Sequence, residues 1–386
     1  MKKKNQDIAK TICIISTSRA DFGLLLPLAE EIVRQKNIKL NFLTTFNGGS
    51  DNSESSKIKI ETLRTRESLR FTKSSNIKFI GSLLTNLNKK FEKIRPDIVF
   101  ILGDRFEVLS IAQLCCLRKI PIAHISGGEI TEGSLDDCFR HAITKLSSIH
   151  FVARDEYKKR VLQLGESPKL VFTVGALAAS NLKRINYVGR LELFSLLDLP
   201  SYFAKYALVT FHSETVNSDA ENQINTLLKV CEIRSDIFFL FTSSNRDEGG
   251  KIINQRIRHF VKNNGRSNSQ YIENLGTEKY FNVLNNFDFM IGNSSSGFTE
   301  APLFNLPVID IGSRQKNRIT PAGYYHVDMN LNEILDTISI MTRSSKKSNK
   351  FIDPTKSKFI DPAKSIASII SGVNLDLLLP KVFFDI

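Results

Sequence analysis

Several signatures of common enzyme classes are missing from this 386-residue chain. It has no GxGxxG loop, no Walker phosphate loop, no HExxH helix and no GxSxG elbow. Nicotinamide-dependent, P-loop and serine-hydrolase chemistry therefore lack their usual sequence support. The six histidines show no paired ligand spacing, which argues against a structural metal site.

Cysteine and long apolar runs are also scarce. The five cysteines are an odd number and include no CxxC pair, so we expect neither a disulfide framework nor a zinc site. No segment approaches the ~20 apolar residues of a membrane-spanning helix, and the N-terminus lacks the apolar core of a signal peptide. These absences predict a cytoplasmic protein without a membrane partner.

The composition contains a clear excess of basic residues. There are 53 Lys and Arg against 40 Asp and Glu, a net charge of +13. The basic residues are scattered along the chain, whereas nucleic-acid binders cluster them on one face. An anionic small substrate, or simply a lysine-rich composition, accounts for the charge, and no nucleic-acid partner is expected.

Apolar strand-like runs alternate with helical patterns, which predicts an α/β fold with parallel sheets. The series begins at Thr11–Ser16, loosens near residues 178–200 and restarts at Tyr206–Phe211. The length also favours two domains. We predict two Rossmann-like domains facing across a cleft, at 1–180 and 181–386. The last helix either packs back on the first domain or stays with the second. The eight-residue tandem at 350–365 is interpreted as a duplicated connector without function.

The segment from Asp97 to Lys145 concentrates polar groups after two predicted strands. Ligands of open α/β sheets bind where parallel strands end, and acids, bases and guanidinium groups converge there. This density is typical of an active site. The side chains concerned are Asp104, Arg105, His124, Glu129, Asp136, Asp137, Arg140 and His141.

Three shorter motifs also follow predicted strands. Arg19 lies in the loop 18–23, between the first strand and a helix predicted at Leu24–Gln35, where it would clamp phosphate oxygens or form an ordinary surface pair with Asp21. The stretch 292–297, GNSSSG, precedes a helix expected near Phe298 and would bind phosphate or only cap that helix. Glu300, one turn further on, is a candidate for ribose hydroxyls. His212 would act as a proton donor, a phosphate ligand or a structural histidine.

Together these stretches resemble the hydrolysing UDP-N-acetylglucosamine 2-epimerases of bacterial sialic-acid-type pathways. The resemblance runs in order from Ser18 to Arg318, and its most specific part is the block at 121–153. The matching sequence segments are SRADFGLLLPL, GDRFE, IPIAHISGGEITEGSLDDCFRHAITKLSSIHFVA, QLGE, VGAL, TFHSET, GNSSSGFTEAP and IGSRQKNR.

The resemblance implies the glycosyltransferase-B fold and a reaction without nicotinamide or an essential metal, so no cofactor is expected. In this reaction the C2 proton and the C1 nucleoside diphosphate are eliminated to a 2-acetamidoglycal. Water then adds, releasing N-acetylmannosamine and UDP. A nucleotide-sugar substrate and a homodimer or homotetramer are implied as partners.

The resemblance also implies roles for individual residues. Asp104, Glu129 and Asp136 would be the acid and base groups, supported by Asp137 and His141, with His212 as a further catalytic candidate. The diphosphate would be held by Arg19, His212, Ser294 and Ser295, next to Asn293. Glu300 would hold the ribose, Leu275 and Tyr280 would lie near the base with Arg314 nearby, and Arg105 would face the phosphate or Asp104.

This chain departs from the family pattern after the second strand. Where the family commonly has a TGMHLS-like segment, residues 44–50 read TTFNGGS, without the histidine. The departure lies in the sugar-facing domain and leaves the sugar open, including UDP- or GDP-linked 2,4-diacetamido-2,4,6-trideoxyglucose. A glycosyltransferase and a non-catalytic sugar-nucleotide binder remain the alternatives from other functional classes.

Overall fold

The computed structural model describes residues 9–46, 58–63, 73–131, 134–214, 219–245, 249–263, 268–344 and 360–385. The chain forms two compact units. The first unit comprises 1–129, 136–181 and 358–386, and the second comprises 130–135 and 182–357. The C-terminal segment therefore belongs to the first unit.

The first unit is built on a seven-stranded sheet in the order β3-β2-β1-β4-β5-β6-β7. Every neighbouring pair is parallel. The strand order reverses between β1 and β4, which places a ligand crevice at their carboxyl ends in folds of this class. The strands are β1 (Lys10–Ser16), β2 (Ile38–Thr44), β3 (Ile60–Thr62), β4 (Ile98–Leu102), β5 (Ile122–Ile125), β6 (Ile149–Val152) and β7 (Val171–Thr173).

Helices cover both faces of this sheet, which is why its strands are apolar on both sides. Ile12 and Ile14 of β1 pack in one core with α1 and α12, whereas Cys13 and Ile15 pack in another with α2 and α3. The helices are α1 (Arg19–Val33), α2 (Lys73–Ile94), α3 (Phe106–Leu117), α4 (Asp136–Leu146), α5 (Asp155–Gln163) and α12 (Pro362–Gly372).

The second unit repeats this plan with a six-stranded sheet in the order β10-β9-β8-β11-β12-β13, again parallel throughout. Its strands are β8 (Lys205–Thr210), β9 (Ile237–Thr242), β10 (Ser269–Ile272), β11 (Phe289–Gly292), β12 (Val308–Ile311) and β13 (Tyr324–Val327). Its helices are α6 (Arg190–Leu197), α7 (Ala220–Ile233), α8 (Gly250–Asn263), α9 (Gly276–Asn286), α10 (Ser296–Thr299) and α11 (Leu331–Ser344).

The structure confirms the predicted α/β series and adds three short strands that the sequence did not suggest. These are β3, β10 and β13, which lie at sheet edges and carry few buried residues. Such strands lack the apolar run by which buried strands are recognised. Among the described residues, none of the helices has the length and apolarity needed to cross a membrane.

The predicted connector at 350–365 lies mostly outside the described residues. In its second copy, Asp361 caps α12 by accepting a hydrogen bond from the Ala363 N–H, and Pro362 occupies the first helical position. Both are favoured residues at those positions. The second copy therefore starts the helix that packs on α1.

Candidate active site

In the first unit, candidate catalytic groups gather where β4 ends. Gly103 has φ +81°, a conformation that glycine adopts without strain, and it turns the chain into Asp104 and Arg105. The Asp104 side chain is 24% exposed, so it is accessible at the carboxyl edge of the sheet. This edge is the position that the strand pattern predicted.

A buried arginine of α4 brings three predicted residues together. The guanidinium group of Arg140 forms an ion pair with Asp104 and donates to Asp137 Oδ1 at 3.2 Å and to the Glu129 carbonyl oxygen at 3.0 Å. Its side chain is only 4% exposed. The arginine therefore fixes Asp104 and Asp137 relative to the loop that carries Glu129, whose side chain is also buried.

Asp136 and His141 lie on the same helix. Asp136 is the first residue of α4, and His141 Nε2 lies 3.5 Å from Asp137 Oδ2. Burial lowers the pKa of His141, an effect that the Asp137 carboxylate partly opposes and Arg140 reinforces. His141 is consequently a neutral imidazole at pH 7, able to hydrogen-bond to Asp137.

The two glycines before Glu129 lie in a closely packed loop. Gly128 has φ +76°, and a Cβ added there would lie 2.3 Å from the Tyr157 carbonyl oxygen. At Gly127 an added Cβ would lie 3.1 Å from both His124 Nδ1 and Thr144 Oγ1. Helices α4 and α5 therefore pack against this loop, so that the Gly128 position excludes a side chain and the Gly127 position leaves little room for one.

His124, which the sequence placed at the same edge, has a supporting position. The side chain is fully buried, and its Nε2 donates to the Gly103 carbonyl oxygen at 2.8 Å. Burial lowers the pKa of His124 to about 3, so the ring stays neutral at physiological pH. His124 therefore holds the turn before Asp104.

The remaining first-unit candidates lie at the starts of α1 and α3. Arg19 is exposed as the first residue of α1, which Ser18 caps through the Asp21 N–H at 3.1 Å. The helix thus begins five residues earlier than the apolar pattern at Leu24 suggested. Asp21 accepts a hydrogen bond from Thr17 Oγ1 at 3.0 Å, and Arg105 pairs with Glu107 at 3.4 Å. Residues 47–50 of the altered TTFNGGS segment lie outside the described residues.

In the second unit, His212 is fixed by hydrogen bonds on both its backbone and its ring. Asn293 Oδ1 accepts from the His212 N–H at 2.7 Å, and Asn293 Nδ2 donates to the His212 carbonyl oxygen at 2.9 Å. The Asn245 N–H donates to His212 Nδ1 at 3.0 Å. Because Nδ1 accepts, the proton of the neutral ring is on Nε2, which is then a donor.

The serine-rich turn after β11 depends on a close approach of two strands. Gly292 has φ +140°, and a Cβ there would lie 2.0 Å from the Thr210 carbonyl oxygen of β8. Ser294 Oγ accepts from the Ser296 N–H at 3.3 Å, and Ser295 is exposed. The helix begins at Ser296, two residues before the predicted start, and ends at Thr299. The sequence predicted a helix near Phe298, and the small residues 294–296 form the turn and the first helical position before it.

Glu300 and Tyr280 contact this short helix. The Tyr280 hydroxyl bonds to Ser296 Oγ, and Thr299 Oγ1 donates to the Glu300 carboxylate. Burial raises the pKa of Glu300, which the hydrogen bonds from Thr299 and Ser296 partly oppose. Leu275 is buried directly before α9. Tyr280 and Glu300 thus share contacts with α10.

A buried carboxylate that sequence reasoning missed organises the loop of Arg314. Glu214 accepts hydrogen bonds from the Ser313 N–H at 2.6 Å, Ser313 Oγ at 2.9 Å and the Arg314 N–H at 3.3 Å. A Cβ at Gly312 would lie 2.3 Å from Glu214 Oε1. Arg314 itself is 8% exposed. The only sequence signal was the position of Glu214 two residues after His212.

The arrangement supports two kinds of chemistry. The first unit presents carboxylates and a buried guanidinium group at a strand edge, suited to proton transfer. The second unit presents a histidine donor, hydroxyl groups and an arginine, suited to binding an anionic group. No group of three or more His, Cys, Asp or Glu side chains that could hold a metal ion occurs among the residues that the structure describes.

Comparisons with known proteins give a consistent result. The sequence profile described as UDP-N-acetylglucosamine 2-epimerase matches residues 32–371. The chain is 35% identical over 390 residues to a GDP/UDP-N,N'-diacetylbacillosamine 2-epimerase (hydrolyzing) of Campylobacter jejuni subsp. jejuni, covering 98% of this chain and 99% of that protein. It is 32% identical over 371 residues to polysialic acid biosynthesis protein P7 of Escherichia coli, covering 93% and 92%.

A solved structure shares the fold. The UDP-GlcNAc 2-epimerase of Methanocaldococcus jannaschii, in complex with UDP-GlcNAc and UDP, has a TM-score of 0.72 at 18% identity, covering 94% of this chain and 99% of that one. This likeness confirms the predicted glycosyltransferase-B type of fold with two Rossmann-like domains.

Proposed function

The chain belongs to the UDP-N-acetylglucosamine 2-epimerase family, and we propose from this premise that it is a hydrolysing 2-epimerase of a nucleotide-linked 2-acetamido sugar. It would release the free 2-epimeric sugar and the nucleoside diphosphate. The observation that carries the proposal is the Arg140-centred group of Asp104, Asp137 and the Glu129 loop at the end of β4.

The proposed reaction has two steps. A base takes the C2 proton, the C2–H electron pair forms the C1–C2 double bond, and the C1–O bond breaks with the electrons leaving on the diphosphate. Water then adds to the 2-acetamidoglycal, with its oxygen at C1 and a proton at C2. Both steps need carboxyl groups that exchange protons and a positive environment for the departing diphosphate.

We assign the proton transfers to the first unit. Asp104, Glu129 and Asp136 are the acid and base candidates, and Arg140 orients Asp104 through their ion pair. Asp137 and the neutral His141 support them by a contact at 3.5 Å. These three carboxylates share the acid and base roles as a group.

We assign nucleotide binding to the second unit. His212 would donate from Nε2 to a diphosphate oxygen, because its Nδ1 is occupied by the Asn245 N–H. Ser294 and Ser295 would donate to the same diphosphate. Glu300 would hold the ribose hydroxyls, and Leu275 and Tyr280 would lie by the base. Glu214 holds the backbone before Arg314. On the first unit, Arg19 and Arg105 are the candidates for the diphosphate charge.

Two sugars are proposed as substrates. The family description supports UDP-N-acetylglucosamine, which would give N-acetylmannosamine, the precursor of sialic-acid-type sugars. The relative from Campylobacter jejuni subsp. jejuni supports a UDP- or GDP-linked N,N'-diacetylbacillosamine, that is, a 2,4-diacetamido-2,4,6-trideoxy sugar.

A substrate panel tests the proposal. Purified protein is incubated separately with UDP-N-acetylglucosamine and with UDP- and GDP-N,N'-diacetylbacillosamine, and the free sugar and nucleoside diphosphate are quantified. We expect at least one of the three substrates to yield the free sugar and the nucleoside diphosphate in equal amounts. Nucleoside diphosphate release only after addition of a sugar acceptor would overturn the proposal in favour of a transferase, and binding without release in favour of a binder.

A further inference from the structure

Lys381, close to the C-terminus, binds the end of helix α4, which carries Asp136 and Asp137 of the proposed catalytic group. Lys381 Nζ donates to the carbonyl oxygens of Lys145 at 2.7 Å, Ser147 at 2.6 Å and Thr144 at 3.2 Å. Thr144 and Lys145 lie in the last turn of α4, where the carbonyl groups of a helix run out of partners within it, and Ser147 follows the helix directly. An ammonium group at this end also opposes the negative end of the helix dipole.

The same ammonium group belongs to an ion cluster around a buried carboxylate. Lys381 Nζ lies 2.7 Å from Glu166 Oε2, and Glu166 also pairs with Lys145 at 2.9 Å and with His150 Nε2 at 2.9 Å. The Glu166 side chain is 2% exposed. The lysine is thus tied to a carboxylate that is itself held from three sides, so its position is well defined.

The residues after Lys381 add a second attachment. The Phe384 N–H donates to the Gly165 carbonyl oxygen at 2.9 Å. The Phe383 ring lies so close to Gly165 that a Cβ there would be 2.3 Å from the ring. Lys145 Nζ lies 4.8 Å from the centre of the same ring. The tail therefore packs against both α4 and the turn after α5.

We propose that Lys381 is a positioning residue for the reaction, which fixes the C-terminal end of α4 and thereby aligns Arg140, Asp136 and Asp137 with Asp104. This inference rests on the proposed function. Its physical basis is the rigidity of a helix, since the ammonium contacts and Asp137 are separated by about eight residues, or ~12 Å along α4. A tilt of about 5° would move the catalytic end by ~1 Å, and a misplacement of that size costs up to ~100-fold in rate.

The test compares three single variants. Lys381→Met keeps the length of the side chain but removes the ammonium group, and Lys381→Arg restores a cationic donor. Lys364→Met, at an exposed lysine on α12, is the matched control. We expect Lys381→Met to lower kcat by ~10- to 100-fold with KM and UDP affinity changed less than ~3-fold. We expect Lys381→Arg to recover most of kcat, and Lys364→Met to match the wild type.

Hydrogen exchange provides a readout that does not depend on turnover. We expect the amides of α4 to exchange at least ~5-fold faster in Lys381→Met than in the wild type, because the end of the helix has lost its cap. If Lys381→Met lowers the melting temperature but keeps wild-type kcat, the lysine is merely structural and the proposal is overturned. Unchanged exchange in α4 overturns it as well.

These readouts separate the inference from the proposed function. If the wild-type protein converts none of the nucleotide sugars in the substrate panel, the proposed function fails. Exchange rates then still decide whether Lys381 holds α4. Phe383→Ala in the full chain tests the second attachment, and we expect its α4 exchange to lie between those of the wild type and Lys381→Met.

Discussion

Replacing Asp104 by asparagine removes a proposed proton-transfer group at almost constant side-chain volume. Loss of an acid or base group lowers kcat by ~10²–10⁴. At about 1.4 kcal/mol per factor of ten, this corresponds to ~3–5 kcal/mol of transition-state stabilisation. We therefore expect Asp104→Asn to retain at most about one per cent of the wild-type turnover.

The same substitution is expected to have a much smaller effect on folding. Arg140 loses its charged partner but keeps Asp137 Oδ1 at 3.2 Å and the Glu129 carbonyl oxygen at 3.0 Å. The asparagine oxygen can still accept a hydrogen bond from the guanidinium group. We estimate a loss of ~1–2 kcal/mol, which lowers the melting temperature by ~2–8 °C in a unit of this size.

The assay measures turnover, UDP affinity by calorimetry and the melting temperature. Asp376→Asn, at an exposed aspartate of the same unit, is the matched control and should behave as the wild type. Asp104→Glu, which keeps the carboxylate but lengthens the side chain, should retain more activity than Asp104→Asn. Wild-type kcat in folded Asp104→Asn would refute the assigned role of Asp104.

Three further predictions concern single side chains. Gly292→Ala should weaken UDP binding at least ~10-fold and destabilise the second unit by ~2 kcal/mol or more, because its Cβ would meet a backbone oxygen at 2.0 Å. Calorimetry and thermal unfolding measure these losses, and the control Gly189→Ala, where a Cβ meets open space, should show no comparable loss. Glu214→Gln should weaken UDP binding ~10-fold, since an amide cannot accept all the hydrogen bonds of the loop before Arg314. The control Glu221→Gln, at an exposed glutamate, should bind UDP normally. Equal UDP affinities of the two variants would contradict the role of this loop. Hydrogen bonds and charges from His150 and Lys381 outweigh the burial of Glu166 and lower its pKa from 4.5 to about 2. Its stabilisation, up to ~3 kcal/mol at about 1.4 kcal/mol per pKa unit, is complete above pH 4.5 and lost towards pH 2. Denaturant unfolding should therefore show the wild type and Glu166→Gln converging over that range, and a constant difference would contradict this origin.

Much of the first-unit site follows from local sequence. The apolar run before Gly103 predicted a buried strand, and the sheet rule then placed Asp104 at its carboxyl edge, where the structure has it. The glycines before Glu129 were visible in the sequence, but the reason for them was not. For Gly128 it lies in the Tyr157 carbonyl oxygen, which approaches from a helix almost thirty residues away, and for Gly127 it lies in the His124 and Thr144 side chains.

Other features depend on contacts that local patterns do not encode. Glu214 meets Ser313 across 99 sequence positions, and Lys381 meets the end of α4 across more than 230. Contacts between residues so far apart in the sequence leave no periodic pattern of residues from which they could be predicted. The edge strands β3, β10 and β13 were missed for the same reason, since their pairing partners, rather than their own composition, make them strands.

The most direct test of the central claim is proton NMR of the wild-type protein with UDP-N-acetylglucosamine in D₂O, repeated with the diacetamido sugar nucleotides. Elimination followed by hydration predicts free sugar of the 2-epimeric configuration with deuterium at C2, formed together with the nucleoside diphosphate. Release of a sugar that keeps its original configuration and its C2 proton would contradict the account, because it would mean simple hydrolysis at C1.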